Sequence, residues 1–163
     1  MNEIKRSFPP VADPRARVLV LGSLPGEVSL AEARYYAHPR NHFWRLIGAV
    51  VDRELEPVPY EARLAALQEA GVALWDTVGA ARRRGSLDGA IRDVEANSLV
   101  RLVETLPALR AVGFNGGKSA AIGTPQLAGR EELSLLRLPS SSPAFTLSFA
   151  AKLEQWMALR AFL

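Results

Sequence analysis

Two short segments near the start of the chain carry residue types suited to chemistry on a flat polar ligand. Gly22-Ser23-Leu24-Pro25-Gly26-Glu27 follows the apolar run Val18–Leu21. Shortly after comes Tyr35-Tyr36-Ala37-His38-Pro39-Arg40-Asn41-His42-Phe43-Trp44. The first can bring backbone close to a ligand through a sharp Gly/Pro turn. The second offers two aromatic faces and a carboxamide, Asn41, beside a helix entrance. Stacking a base on an aromatic ring is worth roughly 1–3 kcal/mol, and an amide can hold and polarise a water. Each feature also has a plainer use. Gly and Pro end strands in every fold, tyrosines fill cores, and Asn suits a helix N-cap.

Three further segments could join them. Asp76 follows Trp75 at a strand end, where a carboxylate can accept a hydrogen bond from a ring N–H or cap the next turn. Asn115-Gly116-Gly117-Lys118 opens a helix after a strand, and its N–H groups could cradle an anion. It lacks the full G-x-x-x-x-G-K-[ST] pattern, so an ATP-binding loop is unsupported. Pro139-Ser140-Ser141-Ser142-Pro143 places three hydroxyls on a stiff turn, suited to a phosphate backbone. Other chemistries find little footing. His38 and His42 lack an H-E-x-x-H pattern for zinc. No G-x-S-x-G nucleophile elbow and no G-x-G-x-x-G dinucleotide fingerprint occurs.

The elements that must position these residues alternate. Apolar runs predict strands at Val18–Leu21, Val72–Trp75, Ala111–Phe114 and Leu133–Leu138. Helices are expected at Pro39–Asp52, Tyr60–Ala70, Glu95–Leu106, Ser119–Ile122 and about Thr146–Phe162. Residues 1–16, with Pro9, Pro10 and Pro14, read as an irregular lead-in, and Ala80–Gly89 as a polar, Arg-rich loop. This order predicts an α/β fold: a three-layer α/β/α sandwich around a mainly parallel four-stranded sheet, in one domain spanning residues 1–163. In such sheets ligands bind beyond the carboxyl ends of the strands. The four segments leaving those ends are Gly22–Glu27, Asp76–Val78, Asn115–Lys118 and Pro139–Ala144, so one site could be lined by all of them.

Composition sets the outer limits. Hydrophobic residues make up 48% of 163, enough for a core. There is no cysteine, which removes disulfides and thiolate metal sites and favours a reducing cytoplasm. No apolar stretch is long enough to span a bilayer, and Met1–Arg6 has no apolar leader segment. The charge of +3 and pI near 9.7 permit phosphate binding without demanding it.

Taken in order, these segments resemble the uracil-DNA glycosylase superfamily, and most closely its hypoxanthine-DNA glycosylase branch. The resemblance rests on Gly22–Gly26, Tyr36–Trp44 with its H-P-x-N-x-F-W pattern, Leu74-Trp75-Asp76, Phe114-Asn115-Gly116 and Leu138–Ala144. Much of that superfamily keeps a catalytic Asp or Asn in the first segment. Here Leu24 stands among residues that include neither. The hypoxanthine branch shows the same gap and uses the Asn of H-P-x-N, which corresponds to Asn41. Leu138 stands where a His or Asn often supports the departing base, and Asp76 stands where uracil enzymes read the base with Asn.

The resemblance implies a monofunctional glycosylase of base excision repair acting on DNA, without cofactor or metal, as a monomer. Asn41 would place the water. Gly22, Ser23, Tyr36 and Asp76 would bind the flipped base. Asn115, Gly116, Gly117, Lys118, Ser140, Ser141 and Ser142 would hold phosphates. Phe145, beyond the serine turn, is a candidate wedge or a core aromatic. Hypoxanthine is the first expected substrate and uracil, alone or mispaired, the second. A damaged-DNA-binding module without catalysis and a free-nucleoside hydrolase stand as alternatives.

Overall fold

In chain order the computed structural model, which describes residues 3–163, contains β1 (Ile4–Arg6), β2 (Val18–Gly22), α1 (Glu27–Glu32), α2 (Phe43–Val51) and α3 (Tyr60–Ala70). Then come β3 (Val72–Asp76), β4 (Val78–Arg82), β5 (Arg92–Ala96), α4 (Leu99–Glu104), β6 (Ala111–Asn115), α5 (Gly117–Leu127), β7 (Ser134–Leu138) and α6 (Phe149–Trp156). A 3₁₀ turn, Met157–Phe162, follows. Met1 and Asn2, the start of the expected lead-in, lie outside the described residues.

β3, β2, β6 and β7 form one parallel sheet in that spatial order. The central strand β2 is buried along its whole length, as its unbroken apolar run requires of a strand covered on both faces. Alternate residues feed two cores. Val18, Val20, Val72 and Leu74 pack with Phe43, Leu46 and Ile47 of α2, Leu67 of α3 and Trp156 of α6. Leu19, Leu21, Val112 and Phe114 pack with Leu99 and Val103 of α4 and Ala120 and Leu127 of α5. The result is the expected three-layer sandwich. Full burial of each such side chain contributes about 1.5–3 kcal/mol.

Local chemistry sets several boundaries. Gly71 ends α3 in the left-handed region (φ 86°), its N–H turned back to the carbonyls of Gln68 and Leu67. Gly123 lets α5 lie directly on the Phe114 ring, since a Cβ there would collide with it. α5 runs to Leu127 and contains Pro125, so it is longer than the expected Ser119–Ile122.

Four further expectations are corrected. Residues 3–16 are not wholly irregular: β1 pairs with β4, and Val11 bridges to Leu74. The stretch expected as a loop from Ala80 begins inside β4, which with β1 and β5 makes a second, antiparallel sheet. β5 also takes the residues Glu95 and Ala96 expected to open a helix, and α4 starts only at Leu99. Every residue of β5 is exposed, so no apolar pattern announces it. Finally, α2 begins at Phe43 rather than Pro39, and α1 precedes it, starting at the last residue of the Gly22–Glu27 turn and running through a stretch for which no element was expected.

Candidate active site

The carboxyl ends of β2, β3, β6 and β7 converge on one cavity of about 450 Å³, within the usual range for small-molecule sites. Its lining takes in Gly22–Ser29, Tyr35, Tyr36, His38, Asn41, Asp76, Asn115 and Ser140–Phe145. Each of the four strand-end segments thus contributes to a single site, through Gly22–Glu27, Asp76, Asn115 and Ser140–Ala144. Ser86, Leu87 and Asp88 form a further wall.

Asp76 closes the floor. It is 3% exposed, and its Oδ2 has no hydrogen-bond partner. Burial pushes its carboxyl up to about 7, with the negative charge of Asp88 adding and Arg83 opposing. A buried carboxyl without a partner costs stability, and supplying a donor repays that penalty. A ligand N–H is the natural complement.

Tyr36 sits beside it in the left-handed region (φ 53°). Its ring stacks on Phe43 with centroids 3.8 Å apart, so only the opposite face and the hydroxyl remain for a ligand. The hydroxyl accepts from Asn115 Nδ2 at 3.3 Å, and burial holds it well above the usual phenol range. Tyr35 belongs to the core, 4% exposed, its hydroxyl donating to the Pro9 carbonyl.

Asn41 lines the cavity, and its Oδ1 accepts the backbone N–H of Phe43 at 2.9 Å. Part of the carboxamide therefore pins the first turn of α2. Nδ2 makes no hydrogen bond among the described residues. The next residue, His42, donates its backbone N–H to the Ser141 carbonyl at 2.9 Å and ties this segment to the serine turn.

The serine turn and the Asn115 turn interlock. Asn115 Nδ2 donates to Ser141 Oγ at 2.9 Å, and Ser141 N–H donates to Asn115 Oδ1 at 2.8 Å. Both residues are buried and engaged with each other. Ser140 and Ser142 are partly exposed at the cavity edge, each hydroxyl accepting a backbone N–H two residues on. Gly116, Gly117 and Lys118 do not line the cavity. Gly116 packs against Ser140, and Gly117 lies next to the Arg137 guanidinium. Lys152, fully buried, donates to the Ser142 carbonyl at 3.1 Å and braces the turn from below.

Two residues escaped sequence reasoning. Arg83, 1% exposed, donates to the carbonyls of Leu24, Pro25 and Gly85, and so clamps the glycine-rich segment against the next loop. Asp88 accepts the Ser23 hydroxyl at 2.5 Å. Arg83 lies within the run Arg82-Arg83-Arg84 and Asp88 shortly after it, in a stretch whose polarity reads as a solvated loop. Only the β4–β5 hairpin, invisible in the apolar pattern, folds them inward.

The profile of the Uracil DNA glycosylase superfamily matches residues 9–162. This chain belongs to that superfamily. A hypoxanthine DNA glycosylase of Methanosarcina acetivorans is 38% identical over 156 residues, covering 96% of this chain and 98% of the relative. One from Methanosarcina barkeri is 44% identical over 115 residues, 71% of this chain and 73% of the relative. A solution NMR structure from Methanosarcina acetivorans, provisionally described as a uracil DNA glycosylase, superimposes with a TM-score of 0.87 at 38% identity, covering 97% of each chain. No helix among the described residues is long and apolar enough to cross a membrane.

Proposed function

We propose that this protein is a monofunctional DNA glycosylase of base excision repair that hydrolyses the N-glycosidic bond of a flipped deaminated base, hypoxanthine first. The observation that carries the substrate is Asp76: a fully buried carboxyl at the cavity floor with an unpartnered oxygen. The names of two relatives support the same base.

Flipping a base costs a few kcal/mol, less for one already mispaired. In the cavity, ionised Asp76 accepts the N1–H of hypoxanthine. Adenine has a lone pair at N1, so it leaves the carboxylate buried and unpaired, a penalty of several kcal/mol. The N3–H of uracil would satisfy the same oxygen, which makes uracil the second substrate. The free face of Tyr36 stacks on the base. Backbone N–H groups around Gly22 and Ser23 stabilise charge on the leaving base. Asn41 holds a water through Nδ2 and the remaining lone pair of Oδ1.

Phosphates flanking the flipped nucleotide meet Ser140 and Ser142 at the cavity edge. The Gly116-Gly117-Lys118 turn, outside the cavity, is left for a more distant phosphate, while Asn115 and Ser141 hold the turn in shape. Phe145, 46% exposed beyond the serine turn, is the wedge that fills the gap left by flipping. It acts as a monomer in this reading, and the cysteine-free composition fits a reducing cytoplasm. The test is a panel of duplexes carrying inosine, uracil, xanthine or thymine opposite each base, read by alkali cleavage of abasic sites. Cleavage at inosine above all others supports the reading; cleavage confined to another lesion overturns the base assignment.

A further inference from the structure

We propose that Asp88 is a catalytic carboxylate of this site, taking the proton from the water that attacks the sugar. The inference rests on the reading of the cavity as a glycosylase site.

Six titratable side chains line the cavity: Glu27, Tyr35, Tyr36, His38, Asp76 and Asp88. Five are unsuited to the task. The two tyrosines are held neutral by burial. Asp76 is buried at the floor, where the base itself must sit. Glu27 is exposed at the rim and pairs with Lys5 at 3.1 Å. His38 Nδ1 accepts the Arg40 backbone N–H at 3.1 Å. Asn41 is no base, and its Oδ1 already accepts from Phe43.

Asp88 differs from each of these. It is only partly buried, so water can reach it. The Ser23 hydroxyl, donating to Oδ1 at 2.5 Å, fixes its orientation. Oδ2 bonds no other group among the described residues. A carboxylate anchored by one oxygen and open at the other is the arrangement a general base needs. Arg83 is buried behind the same wall, close enough for its charge to interact with that of Asp88.

The glycosidic C–N bond breaks, and its electron pair leaves with the base. Water bonds to the sugar carbon and gives one proton to Asp88. That proton passes to the departed base, leaving a sugar hydroxyl and neutral hypoxanthine. While the sugar carries positive charge, the same carboxylate stabilises it.

Single-turnover release of hypoxanthine from a duplex with one deoxyinosine tests the assignment, alongside Kd for the same duplex. Asp88→Asn keeps the acceptor for Ser23 and removes the base. We expect release about 100-fold slower, the low end for a general base, with Kd within about threefold of wild type. Should that variant fold poorly, Ser23→Ala removes only the anchor and should slow release about tenfold. Release by Asp88→Asn near the wild-type rate overturns the proposal. So does a loss explained wholly by weaker binding, or, where Ser23→Ala stands in, an unchanged rate. A wild-type protein that releases no base from any lesion overturns the glycosylase reading as well, which separates the two failures.

Discussion

Gly22 on β2 is the register partner of Asp76 on β3, and a Cβ built on Gly22 would lie 2.6 Å from Asp76 Oδ1 and 2.9 Å from the Tyr36 hydroxyl. The missing side chain is what lets a carboxyl and a phenol converge at the strand end. Glycine is required here by space, since Gly22 is not among the positions with positive φ.

Gly22→Ala should therefore fail at the site rather than in the core. The added methyl must displace Asp76 or Tyr36, both held in a packed floor. Hypoxanthine release should fall at least about tenfold, as small misplacements in a site commonly cost more. Stability should fall by about 1–3 kcal/mol. Single-turnover kinetics and urea denaturation measure the two effects.

Asp76 sets a pH dependence whose sign can be worked out. The ionised form accepts the base N–H, and burial raises the carboxyl to about 7. In the free enzyme, kcat/KM on inosine-containing duplex should rise with pH through about 7 and level off above it. Asp76→Asn should flatten that limb. Its measurement is a pH–rate profile of both proteins.

The same shift predicts a stability effect. The folded carboxyl titrates above its ordinary value of 3.8, so the fold disfavours the charged form. The penalty is absent below the ordinary value, grows between it and about 7, and is complete above 7. Asp76→Asn should therefore gain up to about 4 kcal/mol in alkaline buffer and nothing in strong acid. Urea denaturation across that range checks it.

How much of this was legible in the sequence follows from the kind of force holding each part. Val18–Leu21, Val72–Trp75 and Ala111–Phe114 announce themselves because a strand buried on both faces must be apolar throughout. Tyr60–Ala70 is bounded by Gly71, whose left-handed conformation stops the helix. The glycine, aromatic and serine segments were legible as a site because strand ends of a parallel sheet share one edge. β4 and β5 were not, since β5 is exposed at every residue and is held by its backbone ladder to β4 with surface polar contacts such as Arg82–Asp93, none of which leaves an apolar pattern. Missing that hairpin hid Arg83 and Asp88, which polarity alone places in solvent. The start of α2 moved for a similar reason: Asn41 and His42 bond to Phe43 and the serine turn, contacts no pattern of hydrophobicity encodes.

Asn41→Ala separates catalysis from capping. Losing the amide leaves the attacking water unpositioned and should slow base release about 100-fold while lesion binding changes little. Losing the bond to Phe43 should cost about 1 kcal/mol of stability. Asn41→Asp keeps that acceptor and should restore the stability. Single-turnover release and thermal melts distinguish the two contributions, with Kd as the binding control.

Phe145 is tested by comparing substrates. If its ring fills the gap in the stack, Phe145→Ala should weaken binding to lesion-bearing duplex about tenfold. Single-stranded lesion DNA has no such gap, and its binding should change much less. Equal losses on both would instead make Phe145 a support for the serine turn.

The most direct test of the whole account pairs one duplex carrying a single deoxyinosine with its deoxyadenosine counterpart, incubates each with the purified protein, and measures free base and alkali-labile breaks. The account predicts free hypoxanthine and one break at the inosine position, with the adenine duplex intact. An inosine duplex that is bound yet stays whole, with no base in solution, would contradict it.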